Sequence, residues 1–389
     1  MKTWTIVLAL GMAVSITAQS PVPEALRAPT VVPGVERAVD AAIGDHFYVV
    51  LRQDGSVMTW GYNNLGQLGN GRVGPTAGSE PGRTLGFVVE GKAQPIDGLS
   101  DTVGVAAGSQ HGLAVRRDGT VWGWGSNGSA QLALGRSNRG ANPLPVQIPG
   151  VSNARAVAAY GYASYALLHD GTVLGWGDAL WRPGSRAVTS ETPVKVPGLT
   201  NVVAIRAGLP CLALLADGSV MAWGAGVLGD GSPAQRDYAS VVVPQPARVS
   251  GLAEVAAIAT GASASGVVRR DGSVWVWGGN SLGALGLGKP RTTAEGSDQL
   301  APVKLPTIAG AKDLALASGS TIVLEDGTIR TWGDERLGAT GRTGIERVAT
   351  PTPVPGVTTV VRVWAHAYSN LGLTRDGHVL AWGSMFVGP

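Results

Sequence analysis

The sequence predicts an all-β fold: a seven-bladed β-propeller of four-stranded antiparallel blades, closed by an N-terminal strand added to the last blade. Three observations carry this. An Asp-Gly pair followed at one fixed spacing by a Trp-Gly pair recurs seven times. The repeats lie about fifty residues apart, the length of a four-stranded blade. Gly makes up 58 of 389 residues, about twice its usual share of roughly 7%, without a collagen-like period, so many tight turns are needed to explain it.

The aspartates are Asp54, Asp118, Asp170, Asp217, Asp271, Asp326 and Asp376, and the matching tryptophans are Trp60, Trp124, Trp176, Trp223, Trp277, Trp332 and Trp382. An apolar run precedes each Asp, as in Leu113-Ala114-Val115. Alternation follows it, as in Ser273-Val274-Trp275-Val276-Trp277. Asp-Gly between two such runs predicts a two-residue hairpin turn with positive φ at both central positions. The aspartates are therefore structural turn residues, since turn chemistry already accounts for them. The tryptophans are core residues packed between blades.

Two more strands complete each unit. Upstream lies a run ending in small residues, such as Val103-Gly104-Val105-Ala106-Ala107-Gly108. Downstream of Trp-Gly comes a loop and then a Pro-led strand, such as Pro193-Val194-Lys195-Val196-Pro197-Gly198-Leu199. Blade seven has no such strand after Trp382, but Pro29-Thr30-Val31-Val32-Pro33-Gly34-Val35 matches the Pro-led pattern. Residues 29–33 are therefore expected beside residues 378–383, covering an edge that would otherwise be unpaired.

The N-terminus reads as an export signal over residues 1–18. It has Lys2, an apolar stretch from Trp4 to Val14, and a small residue at Ala18, the pattern of a cleaved leader. Residues 19–28 read as a Pro-rich linker, and 29–389 as the propeller. The expectation is an exported monomer, periplasmic or extracellular, with no membrane anchor. A net charge of +3, without a dense basic patch, argues against a nucleic-acid partner. The single cysteine, Cys211, excludes an intrachain disulfide and reads as a small buried hydrophobe.

After these residues a family resemblance is plain. Asn63-Asn64-Leu65-Gly66-Gln67-Leu68-Gly69 after Trp60-Gly61, with Ala107-Gly108-Ser109-Gln110-His111 and Arg117-Asp118-Gly119-Thr120-Val121-Trp122, resembles the regulator-of-chromosome-condensation repeat family. The resemblance runs over residues 29 to 384, and the leader points to a secreted bacterial-type member. A secreted propeller of this class that inhibits β-lactamases is similar in its loop set around Tyr162-Ala163-Ser164-Tyr165-Ala166-Leu167. Nuclear members, by resemblance, imply guanine-nucleotide exchange and chromatin binding. The loop hallmark is lost at Asp178-Ala179-Leu180-Trp181 and at Ala225-Gly226-Val227-Leu228-Gly229.

Catalytic motifs are weak or missing. Three Gly-x-Gly-x-x-Gly matches, starting at Gly69, Gly123 and Gly224, open no helix inside a βαβ unit, as dinucleotide binding requires. The five histidines show no metal-ligand spacing. The sequence thus implies no cofactor, no metal and no catalytic residues.

Strand order puts the strand one–two loops and the post-Trp loops on one face, and the Asp-Gly turns on the other. Around the ring the strand one–two loops carry His46, Phe47 and Tyr48 on blade one and His111 on blade two. Blade three carries Tyr160, Tyr162 and Tyr165, and blade seven His366 and Tyr368. This aromatic arc is the expected binding surface, because aromatic side chains on loops carry interface energy at low entropy cost. The alternative for the same rings is a plug in the channel mouth. The function expected is a non-catalytic exported module binding an unidentified protein. The alternatives are an exchange factor or chromatin adaptor, and an enzyme on a propeller scaffold.

Overall fold

Residues 24–74, 89–135, 137–180, 188–232, 246–280, 283–288, 298–342 and 347–385 are described by a computed structural model. Its strands, β1–β28 in chain order, form seven four-stranded antiparallel sheets. Blade one is β2 (Ala38–Ile43), β3 (Phe47–Arg52), β4 (Val57–Tyr62) and β5 (Val89–Pro95), paired in that order from the channel outward. Blades two to six repeat it with consecutive strands.

Blade seven is built from both ends of the described chain. It consists of β26 (Val360–His366), β27 (Ser369–Thr374), β28 (Val379–Met385) and, outermost, β1 (Glu24–Val31). Thr30 pairs with Ala381 and Val31 with Leu380; beyond a bulge, Leu26 pairs with Gly383 and Glu24 with Met385. The strand is longer than residues 29–33 and begins inside the stretch read as linker. Ring closure adds Ala38 N–H to the Gly377 carbonyl at 2.9 Å and Tyr48 Oη–H to the Ser384 carbonyl at 3.2 Å.

The core lies in the gaps between blades. Trp60, Trp124, Trp176, Trp277, Trp332 and Trp382 are fully buried and Trp223 nearly so. Each apolar cluster draws on two neighbouring blades, as where Tyr48 and Trp60 meet Leu371 and Val379. Three indoles also reach back to the preceding blade's loop. Trp124 donates to the Gln67 carbonyl, Trp176 to Gln131 and Trp332 to Ala284, each at 2.8 Å.

The hallmark loop folds on one side chain. Asn63 Oδ1 accepts from Leu68 N–H at 3.1 Å, Asn127 from Leu132 at 2.8 Å and Asn280 from Leu285 at 3.1 Å. Glu335 fills the same place in blade six, accepting from Thr340 N–H at 3.0 Å.

The Asp-Gly turns differ from the two-residue form expected. In blade one Gly55 N–H bonds the Arg52 carbonyl at 3.0 Å and Arg52 N–H bonds the Ser56 carbonyl at 2.9 Å. That makes a three-residue loop in which only Gly55, at φ +80°, is left-handed. Asp54 stays in ordinary backbone because its carboxylate does a different job. Oδ1 accepts from Ser56 N–H at 3.0 Å and from Ser56 Oγ–H at 2.6 Å. The same two-residue reach from Asp to the following N–H recurs at Asp118, Asp170, Asp217, Asp271 and Asp326. Asp376 instead accepts from Thr374 Oγ1–H.

The turn glycine then binds the next blade. Gly55 accepts from Thr102 N–H, Gly119 from Ala154, Gly218 from Val255, Gly272 from Ala311 and Gly327 from Val360.

Candidate functional site

The strand one–two loops are laced by backbone hydrogen bonds from blade to blade. Asp45 N–H bonds the Ser109 carbonyl, Ser109 N–H bonds Gly161, and Ser318 N–H bonds Ala367. Side chains on this face therefore stand on a braced frame.

Five members of the expected arc lie on it. Tyr162 is 42% exposed, His46 is exposed, and Tyr160, His366 and Tyr368 are half-buried. Tyr160 of blade three and His366 of blade seven meet edge to face with ring centroids 6.0 Å apart, so this pair spans the channel mouth. His366 Nε2 in turn lies 2.7 Å from Asp45 Oδ1, tying blade seven to blade one. Burial pushes the Asp45 carboxyl up. The hydrogen bonds from His366 and Ser109, with the charges of both imidazoles, outweigh that and hold it below the usual carboxylate range. Burial lowers His46, Asp45 opposes the lowering, and His366 adds to it. The His46 ring sits 5.1 Å from that of Tyr62.

Four members of the arc are not surface residues. Phe47 and Tyr48 are fully buried, His111 likewise, and Tyr165 is 3% exposed. Phe47 packs in the gap toward blade two and Tyr48 stacks on Trp60 at 5.0 Å. Tyr165 meets Trp223 edge-on at 5.8 Å, beside buried Cys211. The reason is architectural. The second strand of a blade has a blade on each side, so both of its faces are interior from its first residue onward. Phe47 to Leu51 are all buried.

His111 shows what such a position does. Ser164 Oγ–H donates to the Gln131 carbonyl at 2.8 Å, so Ser164 Oγ accepts from His111 Nε2–H at 2.8 Å. Burial pushes the His111 pKa down to about 3, and the ring is neutral, linking blade two to blade three.

Residues outside the arc complete the surface. The post-Trp loop of blade six presents Asp334, whose Oδ2 lies 2.5 Å from Arg336 Nη2. Arg336 Nη2–H also donates to Tyr368 Oη at 3.1 Å, and its guanidinium lies 5.9 Å from that ring's centroid. Burial alone would raise the Asp334 carboxyl, but the Arg336 side-chain and backbone hydrogen bonds hold it low. The Arg336 side chain is 64% exposed, so a positive charge and a tyrosine stand together at the rim. The signal for these lay in the post-Trp loop, where Asp334 directly follows Trp332-Gly333.

Among the described residues no cluster of His, Cys, Asp and Glu is arranged to hold a metal ion, and no helix is long and apolar enough to cross a membrane. Around the arc the described surface is one of aromatic rings, the Arg336 guanidinium and bonded polar groups.

Comparison with known proteins bears on the family. Residues 38–67 and 103–131, and separately 54–115, 118–167 and 271–324, match the regulator of chromosome condensation (RCC1) repeat. The chain is 30% identical over 338 residues to E3 ubiquitin-protein ligase HERC2 of Mus musculus, covering 84% of this chain but 6% of that protein. It is 30% identical over 139 residues to RCC1 domain-containing protein RUG3, mitochondrial, of Arabidopsis thaliana, covering 35% of this chain and 29% of that one. The chain thus spans less than a third of either curated relative. Prp20p from Saccharomyces cerevisiae, described by its binding to Gsp1p and histones, superposes with a TM-score of 0.69 at 21% identity, over 90% of this chain and 82% of that one.

These findings overturn the expectation of a secreted bacterial-type member, and with it the signal peptide over residues 1–18 and the exported location. The relatives are eukaryotic, one is named as mitochondrial, and the solved one is described with Gsp1p and histones. The N-terminal segment that carried that expectation, residues 1–23, lies outside the described residues. The chain is a seven-bladed β-propeller, three stretches of which match the regulator of chromosome condensation repeat, and the relatives it resembles are eukaryotic.

Proposed function

We propose that this protein-binding propeller acts as a guanine-nucleotide exchange factor, docking a small GTPase on the face that carries Tyr160, Tyr162, His366, Tyr368 and Arg336. The observation that carries the reading is the braced loop face. Exposed Tyr162, the Arg336–Tyr368 pair and the His366–Asp45 link stand on loops bonded from blade to blade. Rigid aromatic anchors beside an arginine are what interface hot spots are made of. Prp20p, of the same fold, binds Gsp1p, and this favours the exchange-factor reading over a generic binder. Such a module breaks no covalent bond, and the arrangement asks for none.

The test is release of fluorescent GDP from a GTPase of the Gsp1p type, with and without this chain. Acceleration is expected. Tyr162→Ala and Tyr368→Ala should each weaken the complex by about 1–2 kcal/mol, while folding changes by no more than about 0.5 kcal/mol. Absence of both a complex and accelerated release across a panel of GDP-loaded small GTPases would remove the exchange-factor reading.

A further inference from the structure

The first strands of the seven blades enclose a channel with a cavity of about 470 Å³, inside the range of small-ligand sites. Its wall is mostly small and aliphatic, with Ala42, Ala106, Ala158 and Ala259 lining it. Four charged side chains also line it: Asp40 from blade one, Arg155 from blade three, Arg206 from blade four and Arg362 from blade seven.

These four are not balanced. Arg362 Nη1 lies 3.1 Å from Asp40 Oδ1, and its guanidinium stacks 4.8 Å from the Trp364 ring centroid. That pair is satisfied. Arg155 Nη2–H donates to the Val202 carbonyl at 2.8 Å, which leans it onto the strand that carries Arg206. Its Nε–H is buried with no acceptor. Arg206 Nη1–H donates to its own Ile205 carbonyl at 3.1 Å.

Among the described residues neither Arg155 nor Arg206 has a carboxylate within ion-pairing distance. Asp40 and Asp313 feel the charge of Arg206 only at longer range, and Asp313 Oδ2 is taken up by Val363 N–H at 3.0 Å. Among the described residues the first strands therefore bring three guanidinia against two carboxylates, Asp40 and Asp313, and Arg155 and Arg206 are the guanidinia left without an ion pair. Protein walls screen such charges less than open solvent does, and focus their field into the lumen.

We propose that the channel is a binding site for a small organic dianion bearing carboxylate or phosphate groups, held by Arg155 and Arg206 with its carbon body against the alanine wall. Guanidinium forks match carboxylate and phosphate oxygens two at a time, and a dianion would give Arg155 and Arg206 the counter-charge that they lack among the described residues. Access is from the Asp-Gly face. The other mouth is spanned by Tyr160 and His366, whereas exposed Val39, Val103 and Val203 begin the first strands at the open end. This site is separate from the loop face, and does not depend on the exchange-factor reading.

Calorimetric titration of the full chain at low salt tests it, with succinate and glycerol 2-phosphate as probes and uncharged succinamide as control. At least one dianion should bind saturably and raise the melting temperature, and which of them binds better separates a carboxylate from a phosphate ligand. Succinamide should do neither. Arg206→Gln and Arg155→Gln should each weaken binding by about tenfold or more. Arg336→Gln, on the loop face, should leave it intact. Arg206 bonds only its own strand, so its result decides even where Arg155→Gln lowers the melting temperature. The proposal fails if neither dianion binds at millimolar concentration, if Arg206→Gln binds as the parent does, or if Arg336→Gln costs as much as the lumen variants.

Discussion

His111 is a histidine that burial keeps neutral. Its Nε2–H is committed to Ser164 and its surroundings are fully buried. The folded pKa of about 3 lies below the ordinary 6.5, so between these values the unfolded chain holds a proton that the folded chain does not. Stability contributed by the neutral ring is complete above pH 6.5 and is lost as pH falls toward 3, at up to about 1.4 kcal/mol per pH unit. Urea titrations across that window should show the slope, and His111→Gln should flatten it by up to one proton. An unchanged slope would mean that other groups carry the acid sensitivity. The same residue shows where sequence reasoning stops. A loop motif ending in His111 reads as surface because the loop is surface, yet one step into the strand both faces belong to the core. Phe47, Tyr48 and Tyr165 share that fate, while Tyr162, inside the loop, does not.

At the scale of the element, the Asp-Gly turn is both a hairpin and a clasp. Its Gly must be left-handed, and it must let the next blade come close. A Cβ on Gly119, at φ +79°, would stand 2.8 Å from Asn153 Cα. Gly98 has nearly the same backbone, φ +74°, but open space around its Cβ position. Gly98→Ala should therefore cost only the left-handed strain, about 1–2 kcal/mol. Gly119→Ala should cost measurably more, because the clasp to Ala154 has to open as well. Equal losses in denaturant titrations would show that the clasp adds nothing. Asp-Gly and Trp-Gly were legible because each marks a fixed point of every blade. The turn type was not, because both the two-residue turn and the three-residue loop use Asp-Gly, and the sequence does not show whether the Asp or only the Gly takes positive φ. Arg155 and Arg206 escaped attention because a lone charge in an apolar strand declares itself only once seven such strands face one another.

The whole molecule depends on a strand taken from the far end of the chain. The proline pattern of residues 29–35 announced β1, since the same pattern leads the outer strand elsewhere. Its bulge and its start at Glu24 were not announced, because the residues before the proline share no motif between repeats, although the outer strand of blade three, Val188–Lys195, has the same bulge. Removing residues 24–34 would leave the β28 edge with unpaired backbone groups, and such edges recruit other chains. The expected result is a lower melting temperature and concentration-dependent self-association by light scattering, with the blade sequences untouched. A monomeric variant with the parent's melting temperature would show that β1 is dispensable to the ring.

The pairing of β1 with β28 also has a mechanical meaning. Glu24 sits opposite Met385, so the two ends of the ring emerge side by side from one corner of blade seven. A force drawing them apart would peel the two strands from that corner, loading their hydrogen bonds one after another and never all together. Toward a pull on its ends the closure is a zipper with its slider already at the opening.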